Sequence, residues 1–179
     1  QLSKLAMLFP GLSNFGLSNK LTSSILKKAL KIAPNRSMPL YHKQTLLTWY
    51  KKNQDKLQAQ GERKGKVYFF FDEFTNFNDV EIGIKSLLLL ARLGYEVAYM
   101  QHADSGRAHM SKGLIKKAQE LANENVRIFS TWVNKDVPLI GVEPSAILSF
   151  RDEYPRLVDK NEIPKARKLA QNCFIIDEF

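Results

Sequence analysis

The sequence predicts an α/β domain, a Rossmann-like three-layer fold with a short parallel sheet, preceded by a basic helical extension. Three short apolar runs, at 67–71, 95–100 and 137–142, are rich in β-branched and aromatic residues, as is typical of strands buried on both faces. Helical periodicity separates the runs, and strand–helix–strand repeats form right-handed crossovers in a parallel sheet. With 179 residues, 44% hydrophobic and 25% charged, the chain is long enough for one globular domain and is neither collagen-like nor disordered.

Net charge divides the chain into a basic front and a near-neutral remainder. Residues 1–66 contain 13 Lys and Arg against two acids, a net charge of +11, whereas residues 67–179 carry −2. Three explanations fit this excess, namely solvated lysines on amphipathic helices, a nucleic-acid partner and an acidic protein surface. The polar hinge at 61–65 is the predicted boundary between a basic helical linker, 1–64, and the α/β domain, 65–179.

The basic front is predicted to be partly helical. Residues 1–21 lack sustained periodicity and are predicted to form an extended or loosely ordered arm. A helix that begins at a cap near Thr22 runs to about residue 32 and ends before Pro34, and a second helix covers about 43–58. Few aromatic residues lie among the lysines, which gives little support to base stacking with a nucleic acid.

In the α/β part, loops and helices alternate with the predicted strands. Residues 72–79 are predicted to be a polar loop, followed by a helix over 80–93 with Gly94 as its left-handed C-terminal cap. Ser111 is predicted to cap a helix that residues 123–125 bend or interrupt.

The last third of the chain continues this alternation. Pro144 suits the first turn of a helix, Pro155 is predicted to terminate that segment, and a last amphipathic helix covers 162–171. Residues 173–179 are apolar and uncapped and are predicted to begin another segment. We therefore expect the chain to be part of a longer polypeptide.

Three polar loops follow the predicted strands, at 72–79, 101–109 and 141–145. In open parallel sheets the carboxyl ends of the strands meet at one edge, where ligands bind, so these loops predict a crevice. With one residue from the segment that follows, they supply the candidate crevice residues His102, Gly106, Arg107, Glu143, Ser145 and Arg151.

Catalytic and ligand-binding interpretations of these loops are weaker than structural ones. His102, Asp104 and His109 share one loop, but their spacing does not define a tetrahedral metal site. Two carboxylate pairs, Asp72 with Glu73 and Asp104 with Glu143, suit general acid–base catalysis, although helix capping is the commoner role of such carboxylates. Residues 106–113 contain Gly, Arg and Lys before a helix, without the spacing of a phosphate-binding loop.

Three sequence blocks resemble a known family. They are Phe71-Asp-Glu-Phe-Thr-Asn-Phe77, Asp104-Ser-Gly-Arg-Ala-His-Met-Ser-Lys-Gly113 and Gly141-Val-Glu-Pro-Ser-Ala-Ile-Leu-Ser-Phe-Arg-Asp-Glu-Tyr-Pro155. Over residues 65–160 the chain is similar to the cysteine-rich CCG domain of FAD-linked and iron–sulfur oxidoreductases. This domain follows a ferredoxin-like module in glycolate-oxidase-like and D-lactate-dehydrogenase-like enzymes. The resemblance implies a parent protein that contains FAD and a [4Fe–4S] cluster, with its FAD and ferredoxin-like domains as partners of this chain.

The chain departs from the family where the family holds its cluster. Glu73, Asp104, Ser105 and Ala146 stand at the cysteine positions, and Cys173 is the only cysteine in the chain. Because thiolates bind iron–sulfur clusters, the resemblance implies a degenerate copy that holds no cofactor or metal and contains no catalytic residue. We expect a structural or docking domain of a larger 2-hydroxy-acid oxidoreductase.

A stand-alone binding module is the alternative interpretation. Its basic front would contact a nucleic acid or an acidic protein, whereas the resemblance favours a redox parent and no specific nucleic-acid partner. The longest apolar runs, such as 87–91, have five residues, far fewer than the roughly 20 of a transmembrane helix. We expect a cytoplasmic protein, or one attached to the inner membrane through a redox partner, and the sequence is compatible with an oligomer.

Overall fold

A four-stranded parallel sheet forms the centre of the computed structural model, which describes residues 2–179. The strands are β1 (Gly65–Phe69), β2 (Tyr95–Ala98), β3 (Leu139–Gly141) and β4 (Cys173–Ile175). They lie in the order β2–β1–β3–β4, and each neighbouring pair is parallel. Helices cover both faces of the sheet, which confirms the predicted three-layer α/β fold.

Helices connect the strands and precede them. Before β1 lie α1 (Leu2–Ala6), α2 (Pro10–Ser18), α3 (Lys20–Ala29), α4 (Leu46–Lys52) and a 3-10 turn (Gln54–Leu57). Between β1 and β3 lie α5 (Glu73–Phe77), α6 (Val80–Arg92), α7 (Arg107–Met110) and α8 (Ile115–Phe129). Before β4 lie α9 (Pro144–Ile147), α10 (Ser149–Asp152), α11 (Tyr154–Leu157) and α12 (Ile163–Ala170). Among residues 2–179, no helix has the length and apolar character needed to cross a membrane.

The side chains that follow one another along β1 and just beyond it alternate between two cores. Phe70 packs with Phe129 on one face of the sheet. Val67, Phe69 and Phe71 pack on the other face, and all five side chains are buried. Because both faces are covered, the strand needs apolar residues at every position, which is why a continuous apolar run predicted it.

Several predicted boundaries are confirmed. The three predicted strands are present. β1 is as long as its apolar run but begins two residues earlier, and β2 and β3 are shorter than their runs. The helix after β1 ends at a left-handed Gly94 with φ of +95°, where a Cβ atom would collide with the carbonyl oxygen of Glu62. Pro144 lies in the first turn of α9, where the proline removes no helical hydrogen bond.

The predicted extended arm at 1–21 is wrong. Residues 2–21 contain α1, α2 and the start of α3, and Gln1 lies outside the described residues. Asn19, not Thr22, caps α3, because its Oδ1 accepts the N–H groups of Leu21 and Thr22 over 3.0 and 3.4 Å. The predicted helix over 43–58 is divided into α4 and the 3-10 turn.

Two loop predictions beyond β1 are also wrong. The segment 72–79 contains α5, because Asp72 Oδ1 accepts the N–H groups of Phe74 and Thr75 over 2.9 and 2.8 Å. Ser111 ends α7 and does not cap α8, which begins at Ile115.

The end of the chain differs from the prediction at three points. Helix α8 continues unbroken through residues 123–125. Pro155 lies in the first turn of α11, where it is tolerated, and does not terminate the helical segment. Residues 173–175, predicted to begin another segment, form β4, which pairs with β3 in the same sheet.

The segment 46–57 packs against the sheet. Leu46 and Leu57 are fully buried in the same cluster as Val67 and Phe69 of β1. Gly83 of α6 makes room for this contact, because a Cβ atom on it would lie 2.5 Å from Cδ2 of Leu46. The packing therefore joins part of the predicted linker to the sheet, and the boundary at residue 64 stays a prediction.

Candidate functional site

A cleft of about 340 Å³ lies beyond the carboxyl ends of β1 and β2. Phe71 and Glu73 line it from the segment after β1, and Tyr99, His102 and Asp104 line it from the segment after β2. Glu73 is the first residue of α5, so the Asp72 cap sets its position. The cleft therefore lies where the topology of a parallel sheet predicts a ligand site.

Glu73 and Ser105 connect the two loops directly. The Ser105 hydroxyl donates to Oε1 of Glu73 over 2.9 Å and accepts the N–H of Arg107 over 3.1 Å. Ser105 is buried, whereas Glu73 is half-buried and lines the cleft. Two of the four positions predicted to be former cluster ligands are thus in hydrogen-bond contact.

His102 is held by its neighbours in its neutral form. Its Nε2 accepts the N–H of Phe71 over 3.2 Å, and its Nδ1 contacts the carbonyl oxygen of Ala103 over 2.8 Å, which assigns the proton to Nδ1. Burial lowers the pKa of His102 to about 4, and its ring stacks 4.3 Å from that of Phe70. Both ring nitrogens are engaged, so this side chain neither binds a metal nor accepts a proton in this arrangement.

Asp72 is a buried carboxyl group below the cleft. Burial raises its pKa to about 6, against the opposing effect of the hydrogen bonds from Thr75 and Phe74. Its Oδ2 atom has no hydrogen-bond partner among the described residues. The other oxygen caps α5, which gives this carboxyl group a structural role in positioning Glu73.

Asn125 and Tyr154 fix the loop at 103–105, and the sequence analysis did not single them out as site residues. Asn125 accepts the N–H of Ala103 over 3.0 Å and donates to the carbonyl oxygen of Asp104 over 3.1 Å. Tyr154 donates to the carbonyl oxygen of Ser105 over 2.8 Å, and its hydroxyl accepts from Asn125 over 3.1 Å. Burial raises the pKa of Tyr154, so the phenol stays protonated as a donor.

Two features of the sequence point weakly to Asn125 and Tyr154 as residues that hold the site. Tyr154 belongs to the block 141–155 that carries the family resemblance, and Asn125 is a polar residue on the buried face of a helix. Buried polar groups require partners, so an amide on a core-facing position indicates a loop that it holds.

Glu143, Ser145 and Ala146 lie in the next loop along the sheet and do not line the cleft. The carboxylate of Glu143 accepts the N–H of Ala146 and the hydroxyl of Ser145, each over 2.7 Å, and so caps α9. The Ala146 side chain is buried in the core beside Ile147. Of the predicted crevice residues, His102 therefore lines the cleft, whereas Glu143 and Ser145 belong to a helix cap.

The other predicted crevice residues take part in ion pairs or in a backbone turn. Arg107 pairs with Glu153 over 3.0 Å and Arg151 with Glu178 over 2.6 Å, and both pairs are partly exposed. Gly106 is buried with a φ of +77° just before α7, a conformation that favours glycine.

Metal binding was a weak alternative for the loop of His102, Asp104 and His109. In the part of the chain that the structure describes, no group of three or more His, Cys, Asp and Glu side chains is arranged to hold a metal ion. The Cys173 thiol is buried and donates to the carbonyl oxygen of Leu169 over 3.2 Å. Burial raises the pKa of this thiol, and a protonated, buried thiol is neither a nucleophile nor a metal ligand.

The fold and the cleft define the class of this protein as a three-layer α/β domain whose polar loops meet at the carboxyl edge of a parallel sheet. Its curated relatives are dehydrogenases. Over 146 residues the chain is 25% identical to D-2-hydroxyglutarate dehydrogenase of Haemophilus influenzae, with 79% of this chain and 14% of the relative covered. Over 153 residues it is 28% identical to a subunit of the anaerobic glycerol-3-phosphate dehydrogenase of Escherichia coli K12, with 84% and 38% covered.

A second D-2-hydroxyglutarate dehydrogenase, from Pantoea ananatis, is 26% identical over 138 residues, which are 77% of this chain and 12% of the relative. The chain thus spans less than two fifths of the length of each of these relatives. No family model and no solved structure matches the chain. The similarity is therefore to a part of larger dehydrogenases.

Proposed function

We propose that the chain is a non-catalytic docking domain of a larger FAD-linked, iron–sulfur-containing oxidoreductase with a 2-hydroxy acid as the substrate class. The observation that carries the proposal is the hydrogen bond between Glu73 and Ser105, at two positions where the CCG domain carries cysteines. The similarity to parts of longer dehydrogenases supports a parent with several modules.

The residues at the family's ligand positions do not fit an iron–sulfur cluster. Two carboxylates, a hydroxyl and a methyl group stand at these positions, and oxygen donors match cluster iron poorly in comparison with thiolates. FAD and the clusters would therefore belong to neighbouring modules of the parent, which are the proposed partners of this domain.

The polar groups of the cleft form contacts that serve the fold. A serine nucleophile needs a neighbouring base and access to its substrate. Ser105 donates to the carboxylate of Glu73, but its side chain is buried and is not among the residues that line the cleft. His102 accepts the backbone N–H of Phe71 instead. Each of these bonds connects one loop to another. They support the role of a scaffold that keeps its shape without catalysing a reaction.

The flavin half-reaction of the full-length parent tests this proposal. Asp104→Ala and Glu143→Ala should each leave the rate of flavin reduction by substrate within about twofold of the wild type, because neither group would contact the reacting atoms. Glu143→Ala should lower the free energy of unfolding by about 1–2 kcal/mol through the loss of its cap.

Lys116→Ala, an exposed change on α8, is the matched control and should alter neither quantity. If Asp104→Ala or Glu143→Ala abolished flavin reduction at an unchanged melting temperature, the loops would be catalytic and the proposal wrong.

A further inference from the structure

A polar pocket of about 420 Å³ lies between one face of α3 and the segment that follows this helix. The helix lines it with residues spaced three, four, seven and eight positions after the first, so that all of them share one helical face. These residues are Lys20, Ser23, Ser24, Lys27 and Lys28. We call this feature the α3 lysine pocket.

The chain turns back after α3 and adds a second wall to the pocket. Lys31 has a left-handed φ of +55°, and the N–H of Ile32 donates to the carbonyl oxygen of Lys27 over 2.8 Å. The Lys27 ammonium group donates to the carbonyl oxygen of Pro34 over 2.9 Å. Ile32 and Pro34 thereby become part of the lining, and contacts of the chain itself maintain the shape of the pocket.

Ser23 is the most buried residue of the α3 lysine pocket. It is only 6% exposed, yet it lines the pocket. The nearby Ser18 hydroxyl donates to the carbonyl oxygen of Asn14 over 2.8 Å, whereas the Ser23 hydroxyl forms no hydrogen bond within the described part of the chain. Because buried polar groups ordinarily have partners, this hydroxyl indicates a partner that a ligand supplies.

The three lysines of the pocket are not neutralised by the chain. The sequence contains no Asp or Glu before Asp55, and among residues 2–179 none of these lysines pairs with a carboxylate. A pocket lined by three arginines near α10 differs in this respect, because Asp152 also lines it and its Arg151 pairs with Glu178. The uncompensated charge of the α3 lysine pocket therefore favours an anionic ligand.

Ammonium and hydroxyl donors together match the chemistry of a phosphate group. A phosphomonoester carries a charge of about −1.5 to −2 at pH 7 and three strong acceptor oxygens, so it can engage several donors at once. A carboxylate offers a single charge and two oxygens. The volume of about 420 Å³ also lies within the range of roughly 300–1,000 Å³ that small-molecule sites occupy.

We propose that the α3 lysine pocket binds the phosphate group of a small, soluble phosphomonoester. The Ser23 hydroxyl would donate to a phosphate oxygen, and the ammonium groups of Lys20 and Lys28 would balance the charge. Lys27 would keep its bond to Pro34 and so preserve the wall of the pocket. This inference goes beyond the proposed docking role and does not depend on it.

Isothermal titration calorimetry of the 179-residue chain with phenyl phosphate tests the inference, with benzoate as the matched carboxylate. Phenyl phosphate should bind more tightly by about tenfold or more, because of its greater charge. Lys28→Gln and Ser23→Ala should each weaken its binding by roughly fivefold, through the loss of one donor. Lys31→Gln is the matched control, since it removes the same charge from an exposed residue outside the pocket and should leave the affinity unchanged.

Equal affinity for phenyl phosphate and benzoate, or no binding of either, would overturn the inference. Equal weakening by Lys28→Gln and Lys31→Gln would also contradict it, because only the net charge of the basic front would then attract the anion. So would a DNA duplex or phosphatidic acid vesicles that bind more tightly than phenyl phosphate and lose this binding in Ser23→Ala. None of these results changes the flavin test, since the pocket shares no residue with the cleft.

Discussion

Single buried polar residues determine the shape of the cleft. Asn125 and Tyr154 hold the loop of Ser105 through main-chain atoms, and Asp72 holds the helix that begins with Glu73. Such contacts are worth about 1–2 kcal/mol each, because a lost partner leaves a buried polar group unsatisfied. The positions of Glu73 and Ser105 thus depend on residues that do not themselves line the cleft.

Tyr154→Phe should lower the free energy of unfolding by about 1–2 kcal/mol, because the carbonyl oxygen of Ser105 loses its hydroxyl donor. Chemical denaturation measures this change. Tyr95→Phe is the control, since Tyr95 is half-buried and its ring packs against Phe179. This variant should lower the free energy of unfolding much less than Tyr154→Phe does. Equal losses in the two variants would show that the Tyr154 hydroxyl does not hold the loop.

Asp72→Asn should stabilise the protein at pH 8 and not near pH 4. The pKa of Asp72 is raised from 3.8 to about 6, so the folded state favours the protonated carboxyl group. Its favourable contribution to the free energy of unfolding is therefore complete below pH 3.8 and is lost as the pH rises through 6. Asparagine keeps a capping oxygen without the charge, so the variant should be more stable than the wild type by about 2 kcal/mol at pH 8.

Denaturation at the two pH values measures this difference, with Asp79→Asn, at an exposed position before α6, as the control. A stability difference that is the same at pH 4 and pH 8 would mean that Asp72 is not the titrating group.

At the scale of elements, the sequence predicted what depends on local pattern and missed what depends on distant partners. The strands β1 to β3 are apolar on both faces, and α6 has clear periodicity and a C-terminal glycine, so both kinds of element were predictable. Strand β4 lies in an apolar run, but its pairing with β3 joins residues more than 30 positions apart, which the run itself does not indicate. Helix α5 depends on a single side-chain cap.

The position of the candidate site was predictable from the sequence, but the side-chain contacts within it were not. Topology predicted that the loops after β1 and β2 meet, and they do so through Glu73 and Ser105. It did not predict that Glu143 turns to cap its own helix, because this depends on side-chain orientation in the folded loop. Asn125 was missed because its partners lie more than 20 residues away in sequence.

Gly83→Ala tests the packing of α4 against α6. A Cβ atom at this position would lie 2.5 Å from Cδ2 of Leu46 and 2.9 Å from Cγ2 of Thr75, so the variant should lose about 1–2 kcal/mol of stability through overpacking. Gly16→Ala is the control, since its Cβ meets open space within a helix and should stabilise it slightly. A Gly83→Ala variant as stable as the wild type would show that α4 does not pack tightly on α6.

At the scale of the whole molecule, an α/β body with a polar cleft is joined to a basic, partly apolar helical front. Residues 1–66 carry +11, and α2 and α3 expose large apolar side chains, among them Leu12 and Ile25. The chain is similar to parts of longer dehydrogenases. The proposed docking role rests on these features together with the oxygen and methyl groups at the positions predicted to be former cluster ligands.

Anaerobic reconstitution of the 179-residue chain with iron and sulfide tests the central claim most directly. Absorbance at about 400 nm reports a thiolate-bound cluster. We predict no stoichiometric uptake, because Glu73, Asp104, Ser105 and Ala146 supply no thiolate and Cys173 is buried with its proton. A cluster bound one to one that survives Cys173→Ser would contradict the account, because the domain would then hold a redox centre through ligands other than thiolates.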